Sequence, residues 1–270
     1  MPRKTFFLKL LGLSVAGYFL LSIAIYAIQK HLLFPAHITK PVTEDWAPHG
    51  ENSEQALLNG SCGNLHVAIW RRPNAKGTLM MFHGNGESLA SLGDYVNDFH
   101  HLGYNLMSWD YPGYGLSDDC WFNQDMLLAD AETAYQWLSK QENAENIYLF
   151  GYSLGTGLAL SVAAKHQQNP IFLVAAYDAI TNVATDKFTD LIPFDMLLPF
   201  TLQTQQWLSK IQQPIYLIHG LQDQIILPAR ARALVQNAKG KIKAEWVENA
   251  THASVTLFHY RNRWLKRLLP

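Results

Sequence analysis

An α/β architecture, with a mostly parallel central sheet flanked by helices, is the fold class this sequence predicts. Two observations carry that expectation. From residue 54 onward, short runs of Leu, Ile, Val, Phe and Met alternate with segments whose apolar residues recur at helical spacing. The short runs are apolar on both faces, as strands are when helices cover the sheet above and below. Composition agrees: with 49% apolar and 16% charged residues over 270 positions, the chain is not of the disordered class.

Taken in order, the first element is an apolar stretch. Leu10 to Ile28 carries no charged residue, and as a helix it would reach roughly 28 Å, close to the hydrocarbon thickness of a bilayer. Arg3, Lys4 and Lys9 precede it, so the positive-inside rule places the N-terminus in the cytoplasm and the remainder across the membrane. A cleaved signal peptide is the rival reading, and a buried soluble helix a weaker one. Signal peptides have a shorter apolar region and a small-residue cleavage site, whereas this run continues into Gln29-Lys30-His31-Leu32-Leu33-Phe34-Pro35. Residues 1–35 are therefore expected to form an uncleaved transmembrane anchor with its exit segment. Residues 36–53 are expected to be a polar connector and 54–270 a catalytic domain.

Within that domain, Leu65–Trp70, Thr78–Phe82, Asn105–Trp109, Ile147–Phe150, Ile171–Tyr177, Ile215–His219 and Ile242–Val247 read as strands. Leu89–His101, Asp125–Lys140, Leu154–Lys165, Pro228–Ala238 and Val255–Leu269 read as helices, the fourth with Pro at its first position, where a missing N–H costs nothing. The connection of about 178–213 is longer than the dozen or so residues a crossover helix requires. Its Leu191, Ile192, Pro193, Phe194, Met196, Leu197, Leu198, Pro199, Phe200 and Trp207 suit a small lid-like insertion or acyl-binding wall, or a longer helix packed on the sheet.

Net charge is −1, from 21 Lys+Arg against 22 Asp+Glu, and no nucleic-acid motif is present, so a nucleic-acid partner is not expected. Two cysteines exclude a disulfide-dense scaffold and an all-cysteine zinc site. Cys62 and Cys120 have the option of pairing in an oxidising compartment, but nothing in the sequence brings them together. No metal is expected, because ligand spacing such as HExxH is missing. No cofactor is expected either, since neither GxxxxGK[ST] nor a dinucleotide fingerprint occurs.

Chemistry is signalled by Gly151-Tyr152-Ser153-Leu154-Gly155, a G-x-S-x-G following a strand and opening a helix. That context is the one in which a sharp turn lifts a serine hydroxyl above the sheet edge. Five further segments accompany it: Leu33-Phe34-Pro35 after the anchor, His83-Gly84-Asn85-Gly86, Asp110-Tyr111-Pro112-Gly113-Tyr114-Gly115-Leu116-Ser117, and the stretches around Asp223 and around His252. In this order the motifs resemble the α/β-hydrolase superfamily, and within it the single-pass membrane-anchored serine hydrolases related to the yeast bud-emergence suppressor. The resemblance covers about residues 30 to 260.

The resemblance implies an α/β-hydrolase fold with Ser153 as nucleophile, His252 as base and Asp223 as acid, in the chain order serine, acid, histidine. Asp178, at the end of the preceding strand, is the runner-up for the acid. It also implies an oxyanion hole from the backbone N–H groups of Asn85 and Leu154. His83 and His219 read as structural, as do Asp110 and Asp130. The expected activity is hydrolysis of carboxylic esters or thioesters through an acyl-Ser153 intermediate, the substrate being a small acyl ester or a lipid-like one. Acyl transfer or peptide cleavage on the same residues are the enzymatic alternatives, and a silent membrane-anchored binding module is the non-enzymatic one. A periplasmic or luminal location follows from the anchor reading. Arg261, Arg263, Lys266 and Arg267 of the last helix read as a solvated face, with anionic lipid headgroups as the alternative.

Overall fold

The structure, a computed structural model, describes residues 2–43, 45–50, 52–167, 170–188, 194–267 and 269. Leu191, Ile192 and Pro193 of the expected lid lie outside the described residues, as does Leu268, and so do the side chains of Met196, His259 and Arg263.

The central strands form where large apolar residues have both sheet faces to fill, while β1 and β8 at the edges are partly exposed. Eight strands make one sheet: β1 (Glu54–Gly60), β2 (Gly63–Trp70), β3 (Thr78–Phe82), β4 (Asn105–Trp109), β5 (Ile147–Tyr152), β6 (Ile171–Val174), β7 (Ile215–Gly220) and β8 (Ile242–Val247). Their spatial order is β1-β2-β4-β3-β5-β6-β7-β8. The first three in that order pair antiparallel and the rest are parallel, so the expected architecture is the one observed. The pleat sends alternate residues to opposite cores: Met80 and Phe82 of β3 enter one, Leu79 and Met81 the other.

Helices close both faces. On the first lie α3 (Gln124–Ser139), α4 (Gly155–Ala163) and α8 (Pro228–Asn237), through Leu127, Ala131, Leu158 and Leu234. On the second lie α2 (Gly93–Leu102) and α9 (Phe258–Lys266), through Val96, Phe99, Trp264 and Leu265. The Gly-, Ala-rich α4 is buried along its whole length, its small residues giving close approach and Leu158, Leu160 and Val162 filling the core beside them.

Several boundaries differ from expectation: the helix expected over Leu89–His101 is a 3-10 turn at Leu89–Ser91 followed by α2, and β5 runs on to Tyr152. Strand β6 ends at Val174, because Ala175 takes a left-handed φ of 53°. The helix expected over Val255–Leu269 splits into a 3-10 turn at Ser254–Thr256 and α9. Among its described residues, the long connection forms three short helices, α5 (Ile180–Lys187), α6 (Phe194–Leu197) and α7 (Gln205–Leu208). Phe194, Leu198, Phe200 and Leu202 of this stretch are buried in the first core.

The apolar N-terminal segment is one helix, α1 (Pro2–Leu33), long and apolar enough to cross a membrane. Its first half stands free of the domain, while its C-terminal end docks. Phe34 inserts into the core with ring centroids 5.0 Å from Phe122 and from Phe200. Lys30 Nζ pairs with Asp119 at 2.5 Å and donates to the Cys120 carbonyl at 2.7 Å. Cys120 is disulfide-bonded to Cys62, a pairing the sequence left open.

Candidate active site

The strand-to-helix turn at residues 151–155 is built on close approach. A Cβ on Gly155 would stand 1.9 Å from the Phe82 carbonyl oxygen, and one on Gly151 would stand 2.7 Å from Thr156 Cα. Glycine is therefore the residue that fits at both flanks of the serine. Ser153 itself sits at φ 52°, a left-handed conformation a serine adopts only when its surroundings hold it there. Its N–H donates to Val174 O at 2.9 Å, and Thr156 Oγ1 donates to Ser153 O at 2.7 Å.

Two loops from the neighbouring edge converge on this turn. After β7, Asp223 is fixed by the Ile225 and Ile226 N–H groups, both donating to Oδ1, at 2.8 and 2.9 Å. Its Oδ2 accepts from His252 Nδ1 at 2.7 Å. His252 Nε2 in turn lies 2.9 Å from Ser153 Oγ. With Nδ1 protonated toward Asp223, Nε2 is the acceptor for the serine hydroxyl proton. The three expected residues thus form one hydrogen-bonded chain across 99 positions of sequence.

The carboxylate at the end of that chain is buried. Burial alone would raise the Asp223 pKa, but the hydrogen bond and charge of His252 and the Ile226 N–H together hold it below the ordinary carboxylate value. An ionised Asp223 favours the imidazolium that forms when His252 takes a proton. His219 packs beneath, with Nε2 donating to Ile226 O at 3.1 Å; burial lowers its pKa, against the opposing charge of Asp223. Asp178, the runner-up, points elsewhere. Its oxygens accept from the Ala179 N–H at 3.0 Å and the Asn182 amide at 2.7 Å, and Arg230 lies 3.6 Å away.

The loop after β3 is held from three sides. Tyr111 stacks on His83 at 4.0 Å and donates to the His83 carbonyl at 2.6 Å. Tyr114 donates to the Asn85 carbonyl at 2.7 Å. Glu87 accepts the Gly84 N–H at 2.7 Å. These anchors take up carbonyls and one amide of the loop. Among the described residues, the N–H groups of Asn85 and Leu154 donate to no other protein group. A groove of about 420 Å³, lined by Gln222, Gln224, Ile225, Thr251 and Ala253, opens beside His252.

This geometry can be set beside known proteins. Residues 73–193 match the family described as serine aminopeptidase, S33. The human alpha/beta hydrolase domain-containing protein 17B is 30% identical over 219 residues, covering 78% of this chain and 72% of the human one. The chain belongs to the α/β-hydrolase superfamily. The mouse alpha/beta hydrolase domain-containing protein 17C is 27% identical over 73% of this chain and 59% of its own. Among solved α/β-hydrolases, an esterase from Pyrococcus furiosus superposes with a TM-score of 0.65 at 17% identity, over 85% of this chain and 98% of that one. A serine hydrolase from Xanthomonas campestris described as lacking a lid gives 0.59 at 17%, over 83% and 98%. The protein is thus a serine hydrolase of this superfamily and shares its fold.

Two features of this α/β-hydrolase were not read from the sequence. Glu87 belongs to none of the motifs; its spacing of three from Gly84 is the signal the sequence offers. Burial raises the Glu87 pKa, opposed by the positive field of His83, the Gly84 N–H, Arg261 and His252. Arg261 corrects the expectation of a solvated face. It is buried, ion-paired with Asp98, donates to Thr256 O at 2.5 Å and lies 4.1 Å from the centroid of the Tyr95 ring. The helix that presents it is pinned to α2, so this charge is unavailable to lipid. Lys266 and Arg267 are exposed on that helix end, the latter paired with Glu245 at 2.5 Å.

Proposed function

We propose that this α/β-hydrolase is a membrane-anchored esterase or thioesterase working through an acyl-Ser153 intermediate. The uninterrupted hydrogen-bonded chain Ser153–His252–Asp223 carries the proposal. As Ser153 Oγ attacks the substrate carbonyl carbon, His252 Nε2 takes its proton. Asp223 holds the imidazole tautomer and stabilises the resulting cation. The carbonyl oxygen becomes an oxyanion facing the Asn85 and Leu154 N–H groups, each such donor typically being worth about 10²–10³ in rate. Collapse expels the alcohol or thiol, which takes the proton from His252. Water then attacks the acyl-serine, His252 again accepting a proton, and the carboxylic acid leaves as Ser153 recovers its hydroxyl.

The anchor reading adds a place. Helix α1 would span the bilayer with Arg3, Lys4 and Lys9 on the cytoplasmic side and the hydrolase on the far side. The Cys62–Cys120 disulfide favours the same arrangement, since such bonds persist in oxidising compartments.

The test is hydrolysis of p-nitrophenyl esters of short, medium and long acyl chains by the full-length protein, with Ser153→Ala in parallel. A rate that depends on Ser153 supports the reading, and equal rates for the two proteins would end it. Peptide cleavage is the second reading, favoured by the family match over 73–193. Aminoacyl p-nitroanilides in the same assay separate the two.

A further inference from the structure

An apolar groove of about 370 Å³ runs between α1 and the insertion helices. Ile25, Ile28 and Leu32 form one wall and Val183, Ala184 and Phe188 the other. Two polar residues reach it, Gln29 and Lys187. The Gln29 amide donates to the carbonyl of Tyr26 on its own helix at 2.9 Å, and the Lys187 ammonium is bonded to the Gln224 carbonyl. What remains inside is almost wholly hydrocarbon surface, the exception being the buried Gln29 Oε1, which has no partner among the described residues, so the chemistry that fits is a hydrocarbon chain.

The position of the groove names the source of that chain. Ile25 and Ile28 belong to the uncharged stretch Leu10–Ile28, so one wall is continuous with the surface that α1 presents to lipid. At the other end, Lys187 lines the groove and touches Gln224, which lines the separate groove beside His252. Helix α5 thereby joins the groove along α1 to the loop that carries Asp223 and lines the groove beside His252. Its eight residues cover about 12 Å, a distance that a long acyl chain spans.

We propose that this groove receives one acyl chain of a bilayer lipid, drawn in along α1. On the esterase reading given above, from which this part follows, that chain is the acyl tail of the substrate and its carbonyl lies at Ser153. The enzyme would then act on long-chain esters resident in the membrane, with its own anchor helix as half of the acyl site.

The experiment uses full-length Ser153→Ala protein in phosphatidylcholine vesicles containing a trace of phospholipid with a diazirine near the end of one acyl chain. Adducts are mapped by mass spectrometry after irradiation. The expected result is labelling of 180–188 on the domain side. Ala184→Trp, which fills the groove from α5, should reduce it by about tenfold, the loss of roughly two methylene sites. Ile28→Trp fills the same space from α1 and should do the same, so that misfolding of one variant leaves the other to decide. Adducts confined to the free half of α1, adducts linking two copies of the chain, or labelling of 180–188 unchanged by either Trp would each overturn the proposal. Labelling needs no turnover, so phosphonate reactivity of Ser153 in wild-type protein, measured separately, tests the esterase reading on its own. Labelled 180–188 with an unreactive Ser153 would uphold lipid in the groove and remove the catalytic reading.

Discussion

The cluster of Ser153, His252 and Asp223 and the junction between α1 and the insertion helices are opposites in their chemistry. In the first, position is fixed by polar atoms: both oxygens of Asp223 and both nitrogens of His252 have defined partners. In the second, packing does most of the fixing, with Phe34 wedged between Phe122 and Phe200 and Lys30 adding polar contacts to Asp119 and the Cys120 carbonyl at its edge. Hydrogen bonds demand particular residue types at particular places, whereas packing accepts many apolar residues of about the right volume. Substitutions in the first region should therefore act on rate with little change in stability, and those in the second on stability or lipid access.

The largest expected effect is at Ser153. Ser153→Ala should lower kcat by about 10⁶, the loss seen when a hydrolytic nucleophile is removed, with the melting temperature unmoved. Next comes Asp223→Asn, expected to cost about 10⁴ in kcat through the wrong histidine tautomer. Asp178→Asn is the control for the competing acid and should change kcat by less than about threefold, because Asp178 is engaged at the start of α5. If the two Asn variants exchanged these magnitudes, the polar cluster would have been drawn around the wrong carboxylate.

The junction should answer in stability instead. Phe34→Ala removes a ring that is 2% exposed, and large-to-small changes of that kind cost about 3–5 kcal/mol. Denaturant unfolding of the full-length protein in detergent would measure it, and a loss below about 1 kcal/mol would mean the α1 end is not packed as described. Reduction of Cys62–Cys120 comes next. It frees a loop of 58 positions, and the chain-entropy view puts the cost at about 4 kcal/mol or less. Thermal melts with and without reductant check it. A protein indifferent to reductant would uncouple Cys120, and with it the Lys30 contact, from the rest of the sheet.

The same contrast explains what was legible in the sequence. Strands β3, β4 and β8 have the boundaries expected of them, because apolar runs between turn residues leave few alternatives. Ser153, Asp223 and His252 were readable because each stands in a fixed order after a strand, and the structure brings them into contact. Strand β1 was not read: Glu54-Gln-Ala-Leu-Leu-Asn-Gly60 is half-exposed at the sheet edge and lacks a clean alternation. Arg261 was misjudged because a helical charge pattern does not reveal that Asp98, from α2, lies opposite it. The docking of α1 onto α6 and the Cys62–Cys120 bond depend on which loops fold together, and local spacing carries no record of that.

The smallest expected effect tests where the two kinds of region meet. Glu87 is a polar residue in a packed setting, holding the Gly84 N–H while burial raises its pKa against the fields of His83, Arg261 and His252. A carboxyl whose pKa is raised on folding favours the folded state most when it is protonated. Its contribution is complete below the ordinary value of 4.5 and is lost as pH rises through the higher folded value. His219, with a pKa lowered from 6.5, has the opposite slope: its contribution is complete above 6.5 and is lost as pH falls through the lower folded value. Glu87→Gln keeps an oxygen for Gly84 and removes only the titration. The stability of the variant relative to wild type should therefore climb as pH rises above 4.5, while the acid-side loss attributed to His219 remains in both proteins. Chemical denaturation across that range measures the difference. A pH-independent difference would show that at Glu87 the cost of burial is cancelled by the Gly84 N–H and the charges of His83, Arg261 and His252.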